Sequence, residues 1–134
     1  MVKFEDDDIV LKELEGLARR EKIKTAVFVF LGALKKGRLV TGPKKPVIPP
    51  APNWTAFKDG WEVLGCGTLL THAGSPQLHV HAAMGKKHKV LAGCIRKDTK
   101  VFLVLEAVIF ELKNIKATKS LDPRTGINLL RFLS

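Results

Sequence analysis

Four β-type runs separated by very short breaks constrain this chain more than any other feature. The runs are "WEVLGCGTLLT", "PQLHVHAAM", "KVLAGCI" and "VFLVLEAVIFEL", and the breaks are "HAGS", "GKKH" and "RKDTK". Each run is rich in β-branched or large apolar residues, and each break is polar with turn-forming residues. A parallel crossover needs a dozen or more residues, which these breaks do not supply. Successive strands are therefore expected to be antiparallel neighbours, forming a meander. Ahead of them, "DDDIVLKELEGLARREKI" reads as a helix. Any of Asp6 to Asp8 is expected to cap its start, and Val10, Leu14, Leu17 and Ala18 fall on one face. One early helix followed by hairpins predicts an α+β fold: a compact, mainly antiparallel sheet with one or two packed helices. At 134 residues the whole chain, 1–134, is expected to be a single domain.

The remaining segments refine that expectation. "TAVFVFLGALKKGRLV" is too continuously apolar for a strand with one wet face, which predicts a central strand buried on both sides. Gly32 within it marks a candidate bulge. Five of the seven prolines fall in residues 41–60, so this stretch is expected to be an extended loop rather than a regular element. Its Val47, Ile48, Trp54 and Phe57 must pack on something, either the domain's own core or a neighbouring subunit, and both readings stay open. "SLDPRTGINLLRF" closes the chain as a turn followed by a short apolar anchor.

Charge and cysteine usage narrow the functional classes. The formal charge is +10, although residues 1–16 hold six acids against Lys3 and Lys12. A field of this sign attracts polyanions such as nucleic acid; the alternative is a soluble lysine-rich surface. The candidate phosphate contacts are Lys35, Lys36, Arg38, Lys44, Lys45, Lys86, Lys87 and Lys89. No stretch approaches the roughly 18 uninterrupted apolar residues of a membrane span, and the acidic start does not read as an export signal. With two cysteines there is no disulfide framework, so a cytoplasmic, reducing setting with free thiols is expected.

Chemistry concentrates in "SPQLHVHAAMG". His79 and His81 stand two apart in a predicted strand, so both rings leave one face of the sheet. With a turn over Gly85–His88, Met84 faces Lys89, which sets Cys94 opposite His79 and Ala92 opposite His81. Two imidazoles and a thiolate so placed can converge on one ion, and zinc suits that donor set. A quiet core pair of histidines beside an inert cysteine is the alternative. His72 is a candidate fourth ligand, His88 reads as surface, and Cys66 as a small core residue.

The stretch "GSPQLHVHAAMGKKHKVLAGCI" resembles the PPC family, the plants and prokaryotes conserved domain. Gly74, Pro76, His79 and His81 match its Gly-x-Pro-x-x-His-x-His pattern. Ala92, Gly93 and Cys94 stand where prokaryotic members carry Gly-Gly-His. "GWEVLGCGTLL", "AVFVFLGAL", "LEAVIFEL" and "LDPRTGINLL" resemble further family segments in the same order. The resemblance implies an antiparallel sheet with packed helices, a homotrimer, and a metal site, usually zinc, near the subunit contacts. Carried over, the ligands are His79 and His81, with Cys94 substituting for the third histidine. "KKGRLV" is only faintly similar to the AT-hook cores of plant members, and a solvated turn is the better reading of it.

The resemblance and the charge together favour a trimeric, non-catalytic module that binds DNA or another acidic partner. The alternative is a metal-dependent enzyme acting on a small molecule at a subunit cleft, with Glu62 or Glu106 as candidate proton carriers. A third reading makes the metal purely structural.

Overall fold

The computed structural model of the chain describes residues 1–133. In chain order the elements are β1 (Val2–Glu5), α1 (Val10–Arg20), β2 (Thr25–Pro43), β3 (Pro52–His72), β4 (Ser75–Lys86), β5 (Lys89–Ile95), β6 (Lys100–Glu111), β7 (Ala117–Asp122) and β8 (Ile127–Phe132). Six strands form one antiparallel sheet in the order β1-β6-β2-β3-β4-β5, and β7 pairs with β8 in a separate hairpin. The expected α+β class, a mainly antiparallel sheet with a packed helix, is the observed one.

The meander holds for β3, β4 and β5 but not for β6, which lies between β1 and β2. The sheet curls until β5 meets the far end of β2, pairing Leu39 with Ile95 and Val40 with Cys94. After a turn at 96–99, β6 takes over the same side of β2, from Lys36 opposite Lys100 onward. A short link suffices because β5 and β6 run successively along one side of β2, not beside each other.

The proline-rich stretch is also corrected. The β2–β3 ladder extends to Pro43 opposite Pro52, with Val40 opposite Trp54 and Gly37 opposite Phe57. Only residues 44–51 form the tip, which holds Pro46, Pro49 and Pro50. Pro43 and Pro52 sit where the ladder ends, a position that tolerates a missing N–H. Phe57 enters the core, while Val47 and Ile48 are exposed, so the tip does not cover the domain's own core.

The core lies between α1 and one face of the sheet. Val10, Leu14 and Ala18 of α1 pack with Phe28, Phe30, Leu34, Val80, Met84 and Leu105. Removing one such phenylalanine side chain costs about 3–5 kcal/mol. The helix begins without the expected aspartate cap: the cap position is Ile9, with no side-chain bond. Instead the Val10 N–H donates to Thr99 O at 3.1 Å. The three aspartates serve other partners. Asp6 and Asp7 bind Lys35 and Lys100, and Asp8 accepts from the Glu5 N–H at 2.8 Å. The hydrogen bond from Lys35 holds the Asp6 carboxyl below the usual carboxylate range.

One helix covers one face only. Ala26, Phe28, Phe30 and Leu34 of β2 are buried, but Val27, Val29 and Leu31 on its other face are exposed, contrary to the expectation of two buried faces. The closing segment departs as well. β8 is exposed along its whole length and anchors nothing, whereas β7 is held to β3 by Thr118 Oγ1 donating to Thr71 O at 2.9 Å.

Two glycines make the curl possible. The register against β6 shifts at Gly32, the expected bulge, where a Cβ would lie 2.4 Å from Val104 O. At Gly93 a Cβ would lie 2.5 Å from Val40 O, in the contact that brings β5 back to β2. Gly93→Ala is expected to destabilise the chain by about 1–3 kcal/mol in chemical denaturation. Gly85→Ala, where a Cβ meets nothing within 4 Å, is expected to cost less than about 0.5 kcal/mol. Equal stability of the two variants would contradict the closure.

Candidate metal centre

The site is built by the β3–β4–β5 register. β4 and β5 join through a two-residue turn at Lys87–His88, with Lys86 opposite Lys89. That turn sets Cys94 opposite His81 and Ala92 opposite Ala83, two residues away from the expected pairing. An even slip returns every side chain to its own face, so the three candidate ligands stay together. On the other side of β4, Cys66 faces His81 and Thr68 faces His79.

The ligand atoms converge. His79 Nε2 and His81 Nε2 are 3.1 Å apart, the rings meet edge to face at 80°, and the donor atoms of His79, His81 and Cys94 all lie within 4.8 Å of one another. Two nitrogens on one tetrahedral zinc, each at about 2.0–2.1 Å, stand about 3.3–3.4 Å apart. The trio therefore fits a zinc-sized ion with small side-chain adjustments, and its two imidazoles and one thiol match that metal's preferred donors.

The electrostatics of the site include a residue that carries no sequence signal. Lys119 of β7 is only 7% exposed and makes no ion pair among the described residues. Burial pushes its ammonium below the ordinary lysine value, while the charge of Cys94 opposes that shift. Burial also lowers His79, and the charges of Lys119, His81 and Arg96 lower it further. Lys119 is invisible in the sequence because the docking of β7 on β3 brings it there, not local spacing.

Other candidates fall outside the trio. His72 is exposed, with Nδ1 3.4 Å from Thr118 Oγ1. Cys66 is exposed on the sheet face and is not the core residue expected; its parity along β3 turns it away from the helix. Glu106 faces Leu31, which faces Leu64, which faces Ala83. That is three strand spacings from β4, about 14 Å. Glu62 lies opposite Gly85, four residues along β4 from His81.

The basic candidates divide into two sets. Lys35, Arg38 and Lys86 are engaged with Asp6, Asp98 and Asp59. Lys36, Lys44, Lys45, Lys87 and Lys89 make no ion pair among the described residues. Lys44 and Lys45 stand at the β2–β3 tip, and Lys87 and Lys89 at the β4–β5 turn.

A curled antiparallel sheet that presents two histidines and a cysteine on its open face defines a class of small candidate metal-site proteins. The chain belongs to the Plants and Prokaryotes Conserved (PCC) domain family, whose model matches residues 1–113. Its fold is similar to that of a PPC protein from Pyrococcus horikoshii (20% identity, TM-score 0.83, covering 99% of this chain and 90% of that one). It is also similar to a metal-containing protein from Archaeoglobus fulgidus (16%, 0.84, 99% and 91%). A third likeness is to a candidate DNA-binding protein from Ralstonia eutropha JMP134 (19%, 0.82, 98% and 90%). Comparison with curated proteins finds no significant match. No helix among the described residues is long and apolar enough to cross a membrane.

The His79 environment has a pH consequence for the metal-free chain. Because the folded ring resists protonation, its stabilising contribution is complete above the ordinary value of 6.5. It is lost as pH falls through that value toward the lower folded one. NMR titration of the metal-free protein is expected to place the His79 midpoint below 6.5; a midpoint at or above it would contradict this electrostatic picture.

Proposed function

We propose that this chain is a single-domain, non-catalytic binding module that holds a zinc ion on His79, His81 and Cys94, assembles as a homotrimer, and associates with DNA through its basic surface. The observation that carries this reading is the setting of the trio: its donor atoms converge on an exposed apolar sheet face. Val27, Val29, Leu31, Leu64 and Phe110 are all exposed there, at 38%, 45%, 56%, 64% and 54%. A face of this kind on a small protein calls for a cover, and a second and third copy of the chain would supply it while enclosing the metal ligands.

The donor set supports zinc over harder ions. When bound, the metal would tie β4 to β5 at the point where β5 returns to β2. A reducing cytoplasm would keep the Cys94 thiol available for it. The lysines without ion pairs at the β2–β3 tip and the β4–β5 turn support phosphate contact, and a trimer triples a chain charge of +10. The likeness to candidate DNA-binding proteins points the same way.

Elemental analysis with mass determination on the same sample tests the first part. About one zinc per chain is expected, in a particle of three 14.8 kDa chains. His79→Ala and Cys94→Ala are each expected to lose the metal while remaining folded; full metal content in either variant would overturn the site. Retention on immobilised duplex DNA tests the second. Binding is expected to weaken steeply with salt and to weaken further in a Lys44→Gln/Lys45→Gln variant. Salt-independent retention, or none at low salt, would remove DNA from the reading.

A further inference from the structure

The same end of the sheet holds a second feature, a cavity of about 410 Å³ between α1, the start of β4 and the end of β5. Its wall carries three cations, Arg19 from α1 with Arg96 and Lys97 after β5, against one carboxylate, Glu15. None of these four makes an ion pair among the described residues. Arg96 is the most informative of them. Its Nε is buried and has no hydrogen-bond partner, and its guanidinium lies 5.5 Å from the centre of the Trp54 ring. A buried guanidinium is costly to leave without an acceptor; Nε is closed to solvent, so the terminal N–H groups of Arg96, which lines the cavity, are the ones that meet an occupant there. Stacking on Trp54 limits how far the group can swing away to find an acceptor in solvent.

Unpaired cations around a concave, partly apolar wall concentrate positive potential inside it. A planar guanidinium presents paired N–H donors that match a carboxylate or phosphate. The volume falls within the range of about 300–1,000 Å³ for small-molecule sites. A concave pocket of that size admits a metabolite-sized molecule, whereas a duplex backbone needs an open groove. We propose that this cavity binds a small molecule through its oxyanion group, a carboxylate or a phosphate, held by Arg19, Arg96 and Lys97. His79 and Cys94 form part of the same wall, so the occupant lies beside the ligand trio. The inference does not rest on the metal reading, because the cations, not the histidines, grip the anion.

The test is isothermal titration calorimetry on the protein as purified, at fixed ionic strength, with inorganic phosphate and succinate as the two probes. Metal content is measured on each sample. At least one probe is expected to bind saturably, and which one responds assigns the group as phosphate or carboxylate. Affinity is expected to fall about tenfold or more in Arg96→Gln. Arg19→Gln, on a different element, is expected to weaken binding in the same direction and keeps the test valid if Arg96→Gln does not fold. Lys3→Gln removes one positive charge from β1, which lines no part of the cavity, and is expected to leave affinity unchanged. Saturable binding in a sample without metal would uphold the cavity while the metal reading fails alone. No saturable response to either probe would overturn the cavity, as would equal affinity in all three variants.

Discussion

The two-residue turn at Lys87–His88 is the constraint on which the candidate site depends. It fixes the β4–β5 register, and that register sets Cys94 against His81 with His79 one pleat away. A turn shortened or lengthened by one residue would send Cys94 to the helix-covered face while the histidines stayed on the open one. The donor atoms fall within 4.8 Å because backbone pairing on both sides of β4 leaves them few other places to be.

The curl of the sheet then decides what surrounds those donors. Closing β5 onto β2 requires Gly93 to pass against Val40, and it brings Arg96 back over Trp54 on the β2–β3 arm. It also frees β6 to run along the rest of β2, which completes the floor beneath α1. The open face keeps its apolar residues uncovered, and the three candidate ligands stand among them. The exposed apolar face and the convergence of His79, His81 and Cys94 on it share one architectural origin: a sheet with helical cover on a single side.

Much of this was legible in the sequence, and the failures have physical causes. The helix, the antiparallel class, the Gly32 bulge and the shared face of His79 and His81 follow from local spacing, which short-range physics fixes. The meander was read one strand too far because chain proximity cannot report that β2 is long enough to pair with β5 and β6 in succession. The proline count in 41–60 hid a ladder, because those prolines cluster at a tip and its base, leaving "NWTAFK" free to pair. Continuous hydrophobicity in β2 suggested two buried faces, yet the single helix covers one face and leaves Val27, Val29 and Leu31 exposed on the other. The Cys94 register was off by two and survived because the error was even. Lys119 and the Arg96 cavity depend on contacts between distant segments, which no spacing rule reaches.

The central claim is that Cys94 replaces a histidine as the third donor of one metal site. Reconstituting the metal-free protein with cobalt(II) and recording its near-ultraviolet spectrum tests this most directly, because a thiolate bound to cobalt produces a charge-transfer band that imidazoles and carboxylates do not. The account predicts that band in the parent chain, rising to saturation at about one equivalent, and its loss in Cys94→Ser. Cobalt bound without the band, or a band that persists in Cys94→Ser, would contradict it.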